Sequence, residues 1–321
     1  MLKIFVTGSS GFVGTRVVKL AQQQGITCLE QRSLRGEDID NSSVFRADLT
    51  ESTDWMPALR DVDVIVHCAA RVHQMSDKQG ALALYRQTNV AGTLRLARQA
   101  SEAGVKRFIF ISSVKVNGES TPFGQPFLPE VIIPPADPYA LSKFEAEQGL
   151  LALSRETGLE VVIIRPPLVY GPGVKANFQA MMRWVMRGVP LPLAAVDNRR
   201  SLVFVDNLVS LVLLCLDNPQ AVGKVWMVSD DHDVSTATLL ADMARALGVR
   251  NRSWRCPVSL LRCAATIVGK GAMVERLVGS LQVDVSDTRQ CLGWQPAIPY
   301  HQAMSITARA LLAQSGDAKK R

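Results

Sequence analysis

The chain has 321 residues, 47% of them hydrophobic and 20% charged, with a formal net charge of +7. That length suits one large domain or two intimate ones, and the composition excludes disorder as the main state. The most apolar stretch, Leu208 to Leu216, is too short to span a bilayer, and the six cysteines show neither C-x-x-C nor zinc-site spacing.

The opening residues, Met1 to Val6, run straight into a Gly-rich segment and not into a signal-peptide cleavage site, so a cytoplasmic protein is expected. Lys3-Ile4-Phe5-Val6 reads as a first strand, followed by a helix from about Phe12 to Gln24 that Gly25 closes. Ile26–Glu30 reads as a second strand, Val44–Ala47 as a weak third and Val62–Val66 as a fourth. A long amphipathic helix is expected from Ala81 to Ala103, stopped by Gly104. Arg107–Ile111 is continuously apolar past its first residue, which suits a parallel strand covered on both faces. A helix from Pro138 to about Glu156 then leads to the strand Glu160–Ile164. Strands alternating with helices predict an α/β protein with a doubly wound parallel sheet.

After Pro166-Pro167 glycines and prolines become frequent and the periodic signals shorten. This predicts a smaller lobe closing over the carboxyl edge of the sheet. Ser201–Val205 and Lys224–Val228 are expected to return to the main sheet, which would interleave the two parts. The expected division is a dinucleotide-binding core over 1–165, with returning segments at about 200–230, and a substrate lobe over 166–321. The basic charge is that of a surface suited to polyanionic small molecules. No basic run interleaved with aromatics points to nucleic acid, and the tail Lys319-Lys320-Arg321 reads as a frayed end. Nothing in the spacing of His, Cys, Asp and Glu predicts a metal site.

Thr7 to Gly14, T-G-S-S-G-F-V-G, lies between the first strand and the first helix. Gly8, Gly11 and Gly14 permit a tight turn and close approach of the backbone to a pyrophosphate, while Phe12 and Val13 open the helix whose amides face it. The second strand ends near Arg32, 18 residues beyond Gly14, with Glu30 on the same face. Arg32 at the tip would accommodate a ribose 2′-phosphate, which favours NADP(H); Glu30 in that place would serve NAD(H). Asp48, followed by Leu49, is a candidate either for the adenine amine or for capping the next helix.

Tyr139 and Lys143 are four apart at the start of a helix and share a face. An ammonium beside a phenol would lower its pKa and fit it for proton transfer. Ser113 ends the strand before them, on the sheet's carboxyl edge, where it could hydrogen-bond a reacting oxygen.

With these residues in hand, the sequence resembles the extended short-chain dehydrogenase/reductases, specifically the NAD-dependent epimerase/dehydratase family acting on nucleotide sugars, with their Rossmann sheet. The matching elements occur in order: Thr7–Gly14, His67-Cys68-Ala69-Ala70, Asn89–Thr93, Ser112-Ser113, the Tyr139/Lys143 pair, Arg165–Pro172, Arg200–Asn207 and Leu292-Gly293-Trp294. The resemblance implies a catalytic triad of Ser113, Tyr139 and Lys143. It implies that Ala69, Ala70 and Pro166 line the cofactor, and that Asn177, Arg200 and Arg276 hold the substrate's nucleotide diphosphate. It also implies a homodimer built on the helices 81–103 and 138–156. His73 and Arg71 stand close enough to the Ala69-Ala70 loop to reach a ligand or to face solvent.

Val114 and Lys115 stand where the family's dehydratases carry Asp-Glu, which disfavours elimination of water, and Asn117 replaces the family's usual Tyr. The resemblance and Arg32 together predict a nucleotide-sugar 4-ketoreductase, reducing C4 of a UDP-4-keto-6-deoxy-N-acetylhexosamine for O-antigen or exopolysaccharide supply. The alternative is a UDP-glucose or UDP-N-acetylglucosamine 4-epimerase with tightly held NAD. A non-catalytic binding module ranks last, because such relatives lose the Tyr or the Lys.

Overall fold

The computed structural model describes residues 2–35, 42–72, 80–267, 269 and 271–317; His73 and the tail 319–321 lie outside them. The first part runs β1 (Lys3–Thr7), α1 (Phe12–Gln23), β2 (Thr27–Arg32), β3 (Val44–Arg46), β4 (Val64–His67), α2 (Ala81–Tyr85), a π-helical turn (Arg86–Gly92), α3 (Thr93–Glu102) and β5 (Arg107–Ile111). It continues through α4 (Pro138–Thr157), β6 (Glu160–Arg165), β7 (Leu168–Tyr170), α5 (Ala176–Met186), β8 (Leu202–Phe204), α6 (Val205–Leu214) and β9 (Val225–Met227). Five helices complete the described chain: α7 (Thr236–Leu247), α8 (Val258–Ile267), α9 (Gly271–Val278), α10 (Ser286–Leu292) and α11 (Tyr300–Asp317).

Seven strands form one parallel sheet in the order β3-β2-β1-β4-β5-β6-β9. The order reverses between β1 and β4, so a crevice opens there beyond the carboxyl ends of the strands. The twofold period of a strand divides its side chains between two cores. Ile4, Val6, Val64, Val66, Ile109 and Val162 pack on α1 and α6. Phe5, Ile65, Phe108, Phe110 and Val161 face the other way, against α3, α4 and Trp55. Each such side chain contributes about 1.5–3 kcal/mol by leaving water, which holds the sheet edge rigid.

A third core joins Tyr170, Phe178, Met182, Leu240, Met243, Tyr300 and Met304, drawn from β7, α5, α7 and α11. Here two expectations are corrected. Of the two segments expected to return to the main sheet, only β9 does so. It takes the edge beside β6, and β8 pairs with β7 in a separate two-stranded sheet. Asp230 fixes β8 there, accepting from the Phe204 amide at 2.9 Å and from the Tyr170 hydroxyl at 2.7 Å. The long helix expected over 81–103 is interrupted by the π turn at Arg86–Gly92. Asn89, buried in that turn, accepts from the Arg71 amide (2.8 Å) and donates to Ser142 Oγ (3.0 Å), contacts that tie it to α4.

Candidate active site

The loop from Thr7 to Gly14 is shaped by its own hydrogen bonds. The Gly8 amide donates to Gln31 Oε1 at 2.7 Å, Ser9 Oγ donates to the Gln31 carbonyl at 2.9 Å, and the Gly11 amide donates to the Gly8 carbonyl at 2.9 Å. Gly8 has φ +64°, and a Cβ on it would come within 2.8 Å of the Ala69 backbone. A Cβ on Gly14 would come within 2.2 Å of the Gly8 carbonyl oxygen. The two glycines therefore let β1, the start of α1 and the Ala69-Ala70 loop meet closely. Gly11 is the N-cap of α1 and offers no side-chain oxygen, so the amides of Phe12 and Val13 face the crevice without an intrahelical acceptor. That donor set fits the diphosphate of a dinucleotide.

At the tip of β2, Arg32 is the last strand residue and pairs with Glu30 at 3.0 Å. Its Nε is buried and, among the described residues, has no hydrogen-bond partner, an orphaned donor at the position a ribose would approach. Asp48, half-buried, stands just past β3. It accepts from Ser33 Oγ (2.5 Å) and the Leu34 amide (3.2 Å), closing the turn after β2. Leu49 is buried, and a Cβ on Gly92 would reach within 2.9 Å of its Cγ.

Asp137 caps α4 by accepting from the Ala140 amide at 2.9 Å, with Pro138 in the first turn. Tyr139, Lys143 and Glu147 then follow at helical spacing on one face. Lys143 is 2% exposed, with its ammonium 4.0 Å from the centroid of the Phe110 ring. Burial pushes its pKa down to about 8, against the opposing pull of Glu147 and Cys68. Tyr139 corrects the simple expectation of an acidified phenol. Burial, with the Asp137 carboxylate and Tyr85 beside it, pushes it up to about 12. The Tyr85 ring meets it edge-on at 5.9 Å. Ser113 stands just past β5, where its Oγ accepts from the Lys115 amide at 3.2 Å. Pro166 is buried beside it, its carbonyl accepting from the Val114 amide at 3.0 Å. Val114 is buried and Lys115 pairs with Glu119 at 3.0 Å, so neither offers acid–base chemistry at the dehydratase position.

Sequence reasoning missed what lies beneath. Glu147 and Arg165 form an ion pair at 2.5 Å, 0% and 2% exposed. Ser112 donates to Glu147, and Arg165 Nη1 donates to Asn117 Oδ1 (3.1 Å) and the Pro129 carbonyl (2.7 Å). The four-residue step from Lys143 to Glu147 was the available signal. His67 was also missed as a buried group: Thr7 and Thr93 bond its two ring nitrogens at 2.7 and 2.9 Å, and burial with Lys143 nearby pushes it down to about 3.

On the second lobe, Arg200 reaches the α9 end, donating to the Arg276 carbonyl (2.7 Å) and the Gly279 carbonyl (3.1 Å). Burial holds its guanidinium below the ordinary range, and among the described residues no carboxylate forms an ion pair with it. The Arg276 guanidinium itself turns to Glu119 at 3.4 Å. Asn177 is exposed in the first turn of α5, after Ala176 at φ +55°.

The model of the NAD dependent epimerase/dehydratase family matches residues 4–229. A "UDP-glucose 4-epimerase" of Vibrio cholerae is 46% identical over 314 residues, 96% of this chain and 95% of the relative. Among solved structures, a UDP-glucuronic acid 4-epimerase from Bacillus cereus in complex with NAD has a TM-score of 0.77 at 18% identity, over 98% of this chain and 99% of that one. A UDP-glucose 4-epimerase from Thermotoga maritima with UDP-glucose has a TM-score of 0.76 at 23% identity, over 98% and 100%.

Proposed function

Because the chain belongs to the NAD-dependent epimerase/dehydratase family, we propose that it is a UDP-hexose 4-epimerase, inverting C4 of UDP-glucose or UDP-N-acetylglucosamine with NAD retained. The observation that carries this reading is the near full-length match to the Vibrio cholerae epimerase. It moves the weight from the 4-ketoreductase expectation to the alternative.

In this reading Gly8, Gly11, Phe12, Val13 and Gly14 hold the cofactor diphosphate, Arg32 and Glu30 its adenosine ribose, and Leu49, Ala69, Ala70, Lys143 and Pro166 its flanks. When bound, NAD supplies the group that accepts hydride from C4 and returns it. Tyr139 takes the proton of the C4 hydroxyl and later gives one back, Ser113 holds that oxygen, and Lys143 supplies the nearby positive charge. Burial, Asp137 and Tyr85 hold the Tyr139 phenol high, and in this reading a charged Lys143 is what favours loss of its proton. Asn177, Arg200 and Arg276 receive the UDP end. The homodimer reading rests on the family resemblance and would use α2, α3 and α4, which the Arg86–Glu145 ion pair ties together within the chain.

One observation favours the reductase as the second reading: Arg32, 30% exposed, closes β2. It would suit a released NADP(H). The test is to incubate the purified protein with UDP-glucose and UDP-N-acetylglucosamine without added nucleotide, then denature it and identify what is released. Isomerised sugar and released NAD are expected. NADPH oxidation only with a 4-keto sugar nucleotide, and no isomerisation, would replace the epimerase by the reductase.

A further inference from the structure

Helix α8 is apolar on two faces. Val258 and Leu261 pack against the third core, and Ala265 is buried. Leu260, Cys263, Ala264 and Ile267, at the i, i+3, i+4, i+7 spacing of a helical stripe, all face outward and are exposed. Leu260 is 60% and Ile267 80% exposed, and Trp254 (51%) and Met273 (47%) flank them before α8 and in α9. A surface helix normally turns a polar face to water, so this stripe is an interaction surface.

Its charge says what covers it. From 250 to 267 the chain carries Arg250, Arg252, Arg255 and Arg262 and no Asp or Glu. Arg262 pairs with Glu275, while among the described residues Arg250, Arg252 and Arg255 form no ion pair with a carboxylate. All four are exposed. A second copy meeting this face across a twofold axis would set like charges opposite one another. An exposed apolar stripe that carries one arginine and follows three exposed arginines and a tryptophan in the chain matches instead the boundary of a bilayer bearing anionic headgroups.

We infer that the outward face of α8, with Trp254 and Met273, docks this protein onto the surface of an anionic lipid bilayer. The helix lies in the interface and does not cross it: ten residues reach only about 15 Å against a hydrocarbon core of about 30 Å. Among the described residues no helix is long and apolar enough to cross a membrane. The inference stands apart from the epimerase reading, since neither the stripe nor its arginines belong to the candidate active site.

The test is co-sedimentation of the full chain with vesicles of phosphatidylethanolamine and phosphatidylglycerol, against vesicles of phosphatidylcholine alone. Pelleting with the anionic vesicles is expected, at least tenfold weaker with phosphatidylcholine and reversed by high salt. Leu260→Asp with Ile267→Asp abolishes it, and Arg250→Glu with Arg255→Glu weakens it about tenfold or more, while both variants keep the wild-type circular dichroism and turnover of a soluble UDP-sugar. Wild-type protein that stays in the supernatant overturns the proposal, as does undiminished pelleting of the double Asp variant. A dimer in sedimentation velocity that the double Asp variant dissolves, with no vesicle binding by the wild type, assigns the face to a second copy instead.

Discussion

Arg165 and Arg200 are held by the molecule in opposite manners. Under α4, Arg165 is fully enclosed and meets Glu147, with Asn117 and the Pro129 carbonyl taking up its remaining donors. In the second lobe, Arg200 is half-buried and meets only backbone carbonyls. A charge neutralised within the chain fastens elements together; a charge left with its countercharge missing is a seat for an anion. The first kind locks the helix that carries Tyr139 to the strand end that carries Pro166. In the proposed reading, the second receives the diphosphate of a UDP-sugar.

Four substitutions or conditions test that contrast. Tyr139→Phe removes the proton carrier and is expected to lower kcat by about 10³-fold, at the middle of the range for a lost acid–base group, with the fold intact by circular dichroism. Glu147→Gln strands the Arg165 charge in the interior. It should cost about 3 kcal/mol or more of stability, a drop in Tm of roughly 5 °C by calorimetry, before any effect on catalysis. Arg200→Met should do the reverse. It removes a partly desolvated charge, so Tm stays level or rises. KM for the UDP-sugar climbs about tenfold or more as a charge-assisted bond worth about 1.5–3 kcal/mol is lost. If Arg200→Met unfolds the protein while Glu147→Gln leaves Tm unchanged, the contrast fails.

The smallest effect is one of pH. Lys143 has a folded pKa of about 8, well below its ordinary 10.5. Between those values the unfolded chain holds a proton that the native one has released, so stability contributed by this site rises with pH over about 8 to 10.5. Activity should move the other way, falling above pH 8 as the ammonium that supports Tyr139 is lost. Parallel pH series of kcat and of denaturant midpoint would show the two trends diverging, and Lys143→Arg should shift the alkaline fall in kcat upward.

The sheet was legible because its strands are unusually uniform: Arg107–Ile111 is apolar past its first residue and Glu160–Arg165 is apolar between its charged ends, and β-branched and aromatic side chains leave little competing reading. The loop Thr7–Gly14 and the Tyr139/Lys143 step were legible for a related reason, since each depends on local spacing. What escaped depended on distant partners. Nothing near Asp48 in the chain announces Ser33, fifteen residues away, as its partner. β8 looks like any inner strand until β9 is seen to hold the edge. Tyr139 was read from its lysine alone. Its direction is set by burial, which the neighbouring sequence does not display.

The π turn between α2 and α3 acts as a one-residue spacer in an otherwise continuous rod. Each residue of an α-helix turns the chain by about 100°, so deleting one residue from Arg86–Gly92 would rewind the rod and swing α2 round by that angle relative to α3. Tyr85 would leave the ring of Tyr139, and Arg86 would lose Glu145. The phasing of that one turn thus decides which side chain forms the wall behind the phenol, and relatives aligned across it with a single-residue gap would present a different wall at the same depth.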